Sequence, residues 1–325
     1  EFSIPGRQRI LLKSNRSAKV LFMQYFKKIR FSSRQGAISL VITAFLILPA
    51  IDAIAKLISS DISAGQISWT RFLIQTLIMA PFFIGVLRIT KIRYYFFHTM
   101  RGVLIATTTV LIFSAVKLMP LAEVIAIFFI EPLIVTLLSA MFLGERIGWR
   151  RCSATFIGFS GALIVVQPSY EIYGLSAILP FGAAICFAFY IILTRKLSRT
   201  ENPSVMQFYS GFSGFLFMSI SLISGNLVGI PTFEIAIPNY VQLLLLILLG
   251  VIATIGHFMI AYAIKYLEAS TLAPFQYLEI VAATFYGLWL FGDFPNALAW
   301  FGTIIIVGSG IYTFSRERLK DNSNC

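Results

Sequence analysis

The chain has 325 residues, of which 58% are hydrophobic and only 12% are charged, and its formal net charge is +12. A soluble domain carries roughly 25% charged residues, so the composition excludes a water-soluble globular protein and favours a lipid bilayer as the solvent. The excess of Lys and Arg is typical of residues that flank membrane spans and orient them. We therefore expect no nucleic-acid partner.

The cysteines give no sign of a metal site or a disulfide framework. Cys152, Cys186 and Cys325 are far apart, odd in number and lack Cys-x-x-Cys spacing. The two histidines add no metal-ligand spacing to them. The sequence also lacks a Gly-rich phosphate loop, so ATP is not the direct energy source. We expect neither a metal nor a cofactor.

Residues 1–36 form a basic segment with nine Lys or Arg and a single acid, Glu1. The segment lacks the apolar stretch and cleavage site of a secretory signal peptide. We expect it to be a cytoplasmic tail that lies on anionic lipid.

Ten apolar runs follow Gln35, and each is close to the roughly 20 residues that a helix needs to cross the hydrocarbon core. They predict an all-α membrane protein with spans at 37–59, 66–87, 99–117, 121–143, 151–167, 174–194, 205–224, 240–264, 269–291 and 297–314. The fifth and tenth runs are the shortest. The runs are continuously apolar rather than alternating, which argues against a β-barrel.

The distribution of basic residues supports the count of ten. With the N-terminus inside, the inside segments hold 23 Lys or Arg, and the outside loops hold one, Lys117. The remaining two, Lys56 and Arg71, lie within predicted spans. Such a bias predicts that both termini are cytoplasmic, in a bacterial inner membrane.

The chain contains an internal repeat. When it is shifted by 148 residues, 101–145 fall on 249–293 without a gap, with eight identities. The matched residues include the polar pairs Lys117 with Lys265 and Glu131 with Glu279. Because the repeat unit has five helices, an odd number, consecutive copies must lie upside down relative to each other. Inverted repeats are typical of secondary transporters, which open a central site first to one side and then to the other.

Three motifs carry a family resemblance: the run from Lys117 to Leu133 (KLMPLAEVIAIFFIEPL), the Leu-Gly-Glu-Arg that begins at Leu143, and Gly158-Phe-Ser-Gly-Ala-Leu-Ile-Val. With Ala273-Pro-Phe-Gln-Tyr-Leu-Glu in the second half and Trp69-Thr-Arg-Phe, the chain resembles the EamA type of the drug/metabolite transporter superfamily. The resemblance implies two inverted five-helix repeats, 37–167 and 174–314, around a central cavity, with a cytoplasmic tail at 315–325. Its members carry diverse metabolites, so it does not fix the solute.

Two carboxyls at the middle of predicted spans are the first candidates for the site. Glu131 and Glu279 each lie ten residues into a span, about 15 Å deep, and the repeat makes them symmetry mates. A charge at this depth is costly and needs a reason. Either the pair binds a cationic solute or a proton, or each is a protonated carboxyl that bonds a neighbouring helix.

Further candidates lie in other spans. Asp52 and Lys56, four residues apart, share a helix face, either as a structural ion pair or as a solute contact. Arg71 either extends to the membrane surface or binds an anionic group. His257 is either a titrating site residue or a bonded structural histidine.

The residues beside Glu279 complete the set of candidates. Gln276 and Tyr277 precede it, and they either line the cavity beside a flat solute or pack between helices. Pro132 follows Glu131 and should kink the fourth span, whereas Ile280 follows Glu279, so we expect no matching kink in the ninth.

The sequence thus predicts a secondary active transporter of a small organic metabolite, not an enzyme. An amino acid, S-adenosylmethionine and a vitamin-like solute all suit carboxylates among aromatic rings. A proton gradient or the gradient of the solute itself would drive transport. A non-transporting membrane subunit and an intramembrane enzyme remain the alternatives, and a homodimer stays open.

Overall fold

The computed structural model describes residues 34–84, 92–119, 121–145, 148–166, 174–292 and 297–322. These residues form thirteen α-helices: α1 (Arg34–Ile47), α2 (Pro49–Ile58), α3 (Ala64–Ile84), α4 (Ile92–Leu118), α5 (Leu121–Phe128), α6 (Glu131–Leu143), α7 (Trp149–Val166), α8 (Ile178–Ser198), α9 (Pro203–Val228), α10 (Tyr240–Ala263), α11 (Ala269–Gln276), α12 (Leu278–Phe291) and α13 (Ala297–Asn322). Short 3₁₀ helices lie at Gly174–Ala177 and Pro231–Phe233.

The thirteen helices build the ten predicted spans, because three spans consist of two helices each. α1 and α2 form the first span, α5 and α6 the fourth, and α11 and α12 the ninth. Five stretches in the described part are continuous, long and apolar enough to cross a bilayer: Arg34–Ile58, Tyr94–Leu118, Leu175–Ser198, Pro203–Val228 and Tyr240–Ala263. The all-α membrane fold expected from the sequence is confirmed.

Equivalent helices of the two halves run antiparallel where they meet. The second span of each half, α3 and α9, are neighbours: Trp69 donates to Ser219 (2.8 Å), and Gln75 donates to the carbonyl of Gln207 (3.0 Å). From the first contact to the second, the residue number rises along α3, from 69 to 75, and falls along α9, from 219 to 207. Equivalent helices that run in opposite directions require one half to be upside down relative to the other.

Matched glycines let the third span of each half approach the second span of the other half. A Cβ on Gly102 of α4 would lie 2.8 Å from the carbonyl oxygen of Ser210 in α9. Its repeat mate Gly250, in α10, would place a Cβ 2.7 Å from Ile74 in α3. The same small residue therefore makes the same cross-half contact twice, so the repeat in the sequence is also a repeat in packing.

A second pair of matched glycines ends the broken spans. Gly144 follows α6 with φ 65°, and Gly292 follows α12 with φ 72°. Both are left-handed, a conformation that glycine adopts without a Cβ clash and that commonly terminates helices.

The fold corrects one expectation about the spans. The ninth span is broken beside Glu279 although no proline follows that residue: α11 ends at Gln276 and α12 begins at Leu278. Pro274 lies inside α11, where it cannot donate to the carbonyl four residues earlier and its ring crowds that carbonyl. In the ninth span the break therefore accompanies Pro274, which precedes Glu279, whereas in the fourth span Pro132 follows Glu131.

The third span also differs from its predicted start. α4 begins at Ile92 rather than at 99, which places Arg101 well within the helix, where its side chain is fully buried. Arg101 therefore does not belong to the inside segment to which the charge count assigned it.

We expect Gly102→Ala to destabilise the protein by about 1–3 kcal/mol, because the new methyl group meets backbone atoms of α9 that cannot turn away. Gly308→Ala is the matched control, since a Cβ there meets nothing within 4 Å. Thermal unfolding in detergent measures the difference. Equal melting temperatures for the two variants would contradict the close approach of α4 and α9.

Candidate functional site

A cavity of about 100 Å³ lies between the two halves, at the depth of the helix breaks. Seven of the ten spans contribute to its wall. The polar residues of the wall are Asp52, Arg71, Thr108, Thr109, His257 and Glu279. Most of the remaining wall is aliphatic or aromatic, with Phe113, Phe128, Phe129 and Phe187 supplying four rings. The cavity combines a few charged groups with apolar surface, as is typical of sites for small organic molecules.

Helix breaks place these groups at the middle of the membrane. Pro49 follows the break between α1 and α2, lines the cavity and precedes Asp52 by less than one turn. α5 ends at Phe128, and Phe129 in the following break also faces the cavity. Irregular backbone at this depth is tolerated only where it is buried in protein or lines a polar cavity.

Two carboxyls of the cavity wall have no protein partner. Asp52 and Glu279 line the cavity, and neither makes a hydrogen bond or an ion pair with any residue that the structure describes. A carboxyl in a membrane interior needs a proton, a cation or a hydrogen-bond donor. The described residues supply neither carboxyl with a hydrogen bond or a close ion pair, and Arg71, on the same wall, is the cationic group that interacts electrostatically with Asp52.

Arg71 is the cationic group of the same wall. Its side chain is almost fully buried, one terminal nitrogen donates to the hydroxyl of Thr109, and the guanidinium lies 4.7 Å from the ring centre of Phe72. The Nε atom has no acceptor among the described residues. These contacts hold the guanidinium in place and leave it donors for an anionic group, one of the two roles that the sequence left open.

His257, on α10, also lines the cavity. Its ring centre is 6.3 Å from that of Phe187 and 6.2 Å from that of Tyr190. The buried Nδ1 atom has no hydrogen-bond partner in the described part of the chain. The imidazole is therefore held by ring contacts and not by a hydrogen bond at Nδ1.

Glu131, the repeat mate of Glu279, lies outside the cavity wall. It is almost fully buried, and one carboxyl oxygen accepts a 2.6 Å hydrogen bond from Gln276. Tyr277 is also buried, with its ring 5.7 Å from Phe129. The other oxygen of Glu131, the amide oxygen of Gln276 and the hydroxyl of Tyr277 have no partner among the described residues. The structure thus separates the two glutamates into a cavity residue and a cross-half contact.

Lys56 does not pair with Asp52, although the two share a helix. Its ammonium lies 4.6 Å from the ring centre of Phe291, over the face of the ring. Asp52 faces the cavity instead. Of the eight predicted site residues, Asp52, Arg71, His257 and Glu279 meet in one cavity, and Glu131, Gln276, Tyr277 and Lys56 lie around it.

The sequence profile of the EamA-like transporter family matches residues 35–167 and 174–315, nearly all of the chain. The chain belongs to this family. Its members are transporters and not enzymes, as the sequence predicted.

Relatives of this EamA-like transporter include the S-adenosylmethionine uptake transporter of Rickettsia bellii, 26% identical over 270 residues, which are 82% of this chain and 89% of that one. The riboflavin transporter of Vibrio cholerae is 27% identical over 292 residues, 88% of this chain and 95% of that one. A solved crystal structure superposes with a TM-score of 0.72 and 18% identity over 86% of this chain and 98% of that one, which shows the shared fold.

Two threonines of the cavity wall of this EamA-like transporter were not among the predicted site residues. Thr108 and Thr109 line the cavity, and Thr109 accepts from Arg71. The signal was present as a run of three threonines, 107–109, inside an apolar span. Threonine hydroxyls bond easily to their own helix, so the run alone did not distinguish a site from packing.

Glu145, at the end of the fourth span of the EamA-like transporter, joins the two halves. Its carboxyl accepts from the backbone N–H groups of Ala269 (3.0 Å) and Ser270 (3.1 Å) and from the hydroxyl of Ser270 (2.9 Å). Arg195 lies 3.4 Å away. Glu145 therefore caps α11, the helix that leads to Gln276 and Glu279, from the other half of the protein.

We expect Glu145→Ala to lower the stability of this EamA-like transporter by about 2 kcal/mol, because it removes the acceptor of two helix N–H groups and of the Nε atom of Arg195. Glu234→Ala, at an exposed position between the seventh and eighth spans, is the control. Thermal unfolding of the purified proteins compares them. If both variants melt at the same temperature, Glu145 does not hold the halves together.

Proposed function

We propose that this transporter is a secondary active carrier of a small organic solute with a cationic group and a flat ring, and that it works by alternating access. The observation that carries the proposal is the pair of unpartnered carboxyls, Asp52 and Glu279, in a cavity walled by phenylalanine rings. A cationic group of the solute would lie between the carboxyls, and its ring would pack against the phenylalanines.

The charges of the cavity narrow the solute further. Ionised Asp52 and Glu279 with Arg71 give a net charge of about −1 while His257 is neutral, and a low-dielectric site favours neutrality when it is occupied. A solute with one net positive charge balances the cavity alone. S-Adenosylmethionine, with a sulfonium, an ammonium and a carboxylate, is of this kind. A neutral solute such as riboflavin, or a zwitterionic amino acid, needs one proton in addition.

The inverted halves supply the transport step. The cavity lies between them, and exchange of their conformations would open it to the other side without a change in either fold. The distribution of Lys and Arg supports an orientation with both termini in the cytoplasm, across a bacterial inner membrane. We refer to the side of the membrane rich in Lys and Arg as the basic side.

The carboxyls are tested by Asp52→Asn and Glu279→Gln, which keep shape and remove charge. We expect uptake of the solute into proteoliposomes to fall at least about tenfold in each variant, the effect of one lost hydrogen bond to a charged group. Glu234→Gln, an exposed acid, should transport like the wild type. Folding is checked by the melting temperature. Unchanged transport in both cavity variants would overturn the assignment of the site.

The charge balance is tested with S-adenosylmethionine and riboflavin as probes. We expect an imposed inward proton gradient to raise uptake of riboflavin and to leave uptake of S-adenosylmethionine unchanged, because only the neutral solute requires a proton to balance Asp52 and Glu279. Uptake of the two solutes is measured with and without the gradient. An equal response of both solutes would contradict the charge balance, and absence of movement for every solute tested would contradict the carrier function.

A further inference from the structure

Arg101 is a second buried guanidinium, outside the cavity wall. Its side chain has no exposed surface. Nε donates to Thr194 (2.9 Å), a terminal nitrogen donates to the carbonyl of Met206 (3.0 Å), and the other terminal nitrogen has no acceptor among the described residues. The structure pairs Arg101 with no carboxylate in the part of the chain that it describes. A permanent charge in the membrane interior therefore lacks its counter-ion.

The side chains nearby share this lack of partners. His98 lies one turn before Arg101 on α4, is fully buried against the ring of Tyr209, and has two ring nitrogens without a hydrogen-bond partner among the described residues. On α9, next to the carbonyl that Arg101 contacts, the amide of Gln207 and the hydroxyl of Ser210 are likewise buried without partners. Buried polar atoms are rarely left unsatisfied, so a cluster of them requires an explanation.

Packing does not require this cluster, and the repeat supplies the comparison. A shift of 148 residues places Leu246 at the position of His98 and Leu249 at the position of Arg101. Both leucines are buried, and the neighbouring glycines Gly102 and Gly250 make equivalent close contacts. At the positions of His98 and Arg101, the second half thus builds the same architecture with apolar side chains.

The cluster lies between the cavity wall and the basic end of α4. Phe187 and His257 of the cavity wall contact the ring of Tyr190, and the guanidinium of Arg101 lies 5.1 Å from the centre of the same ring. Along α4, Arg101 is eight residues, or about 12 Å, from Thr109, which accepts from Arg71. Tyr190 therefore contacts both Arg101 and two residues of the cavity wall.

We propose that Arg101 and Gln207 form a second anion-binding site. This site binds a carboxylate of the solute after the carboxylate leaves Arg71 and the side chain of Tyr190 changes its position. This inference rests on the proposed carrier function and deepens it, because it assigns the solute to the class of carboxylate-bearing cations. The solute carboxylate supplies the missing counter-ion of Arg101 during passage, and the amide N–H groups of Gln207 supply further donors. At rest Arg101 contacts only neutral acceptors, so nothing in the described chain competes with the solute.

The test uses the full chain in proteoliposomes with two matched probes. S-Adenosylmethionine carries a carboxylate, and decarboxylated S-adenosylmethionine keeps the same adenosine, sulfonium and ammonium without one. The variants are Arg101→Gln, Arg101→Lys and, as a control on the basic side of the membrane, Lys265→Gln, whose side chain is exposed. Binding of each probe to the detergent-solubilised protein is measured separately from the rate of transport.

We expect Arg101→Gln to reduce the transport rate of S-adenosylmethionine about tenfold or more, with little change in its binding, because Arg71 still binds the carboxylate in the cavity. Arg101→Lys should restore part of the rate, and Lys265→Gln should behave as the wild type. Transport of decarboxylated S-adenosylmethionine should be unaffected by Arg101→Gln. A wild type that carries S-adenosylmethionine but not its decarboxylated form also supports the carboxylate class, and the partial rescue by Arg101→Lys then decides the role of Arg101.

Other outcomes overturn the proposal. Equal loss for both probes, or a loss that follows the melting temperature, would make Arg101 a structural tie among α4, α8 and α9. A wild type that carries decarboxylated S-adenosylmethionine or riboflavin but not S-adenosylmethionine would exclude the carboxylate class while leaving the carrier function intact. A wild type that carries none of the three probes would count against the proposed function itself.

Discussion

The cost of an uncompensated buried charge is the constraint on which the polar part of this structure depends. Glu145 is compensated because its carboxylate accepts hydrogen bonds from two helix N–H groups and a hydroxyl and pairs with Arg195. Asp52 and Glu279 meet this constraint only by facing a cavity. The first arrangement is complete within the protein and joins the two halves, whereas the second is complete only when the cavity contains a proton, a cation or water. By this difference Glu145 is a structural carboxyl, and Asp52 and Glu279 are the carboxyls of the proposed site.

The two halves are copies in architecture and differ in chemistry where it affects the solute. Glu131 and Glu279 are repeat mates, and each follows a break in its span. Glu131 finds a donor because Gln276 stands beside it, but the repeat mate of Gln276 is Phe128. If the halves exchange conformations, Glu279 takes the position relative to Phe128 that Glu131 now has relative to Gln276. Phe128 has no hydrogen-bond donor in its side chain, so Glu279 gains no equivalent bond. The two glutamates therefore cannot have equal roles, although the sequence repeat alone treats them as equivalent.

The sequence predicted the parts of the fold that follow from local properties. Ten apolar runs gave ten spans, and the odd number of helices per repeat gave the inversion that the antiparallel contact of α3 and α9 displays. The break beside Glu279 was not predicted, since it accompanies Pro274 and not a proline after the glutamate. Local pattern also misplaced Arg101, because hydropathy excluded the polar first turns of α4 from the span.

The candidate site was predicted only in part, because its assembly depends on which faces of distant helices meet. Periodicity placed Asp52 and Lys56 on one face, but it could not show that Lys56 would find the ring of Phe291 and leave Asp52 to the cavity. Repeat symmetry paired Glu131 with Glu279, but it could not show which of them has an amide within reach. These outcomes are decided by contacts between residues more than a hundred positions apart in the chain.

The same reasoning explains why the missed residues lie in the first half. Thr109, Arg101 and His98 are all on α4, and the second-half mates of Arg101 and His98 are leucines. α4 carries Arg101 and His98 where its mate α10 carries buried leucines, whereas Thr109 is matched by His257, which also lines the cavity. In the proposed alternating access, inverted symmetry would supply the two conformations, and these departures from symmetry would decide which chemical groups the solute meets.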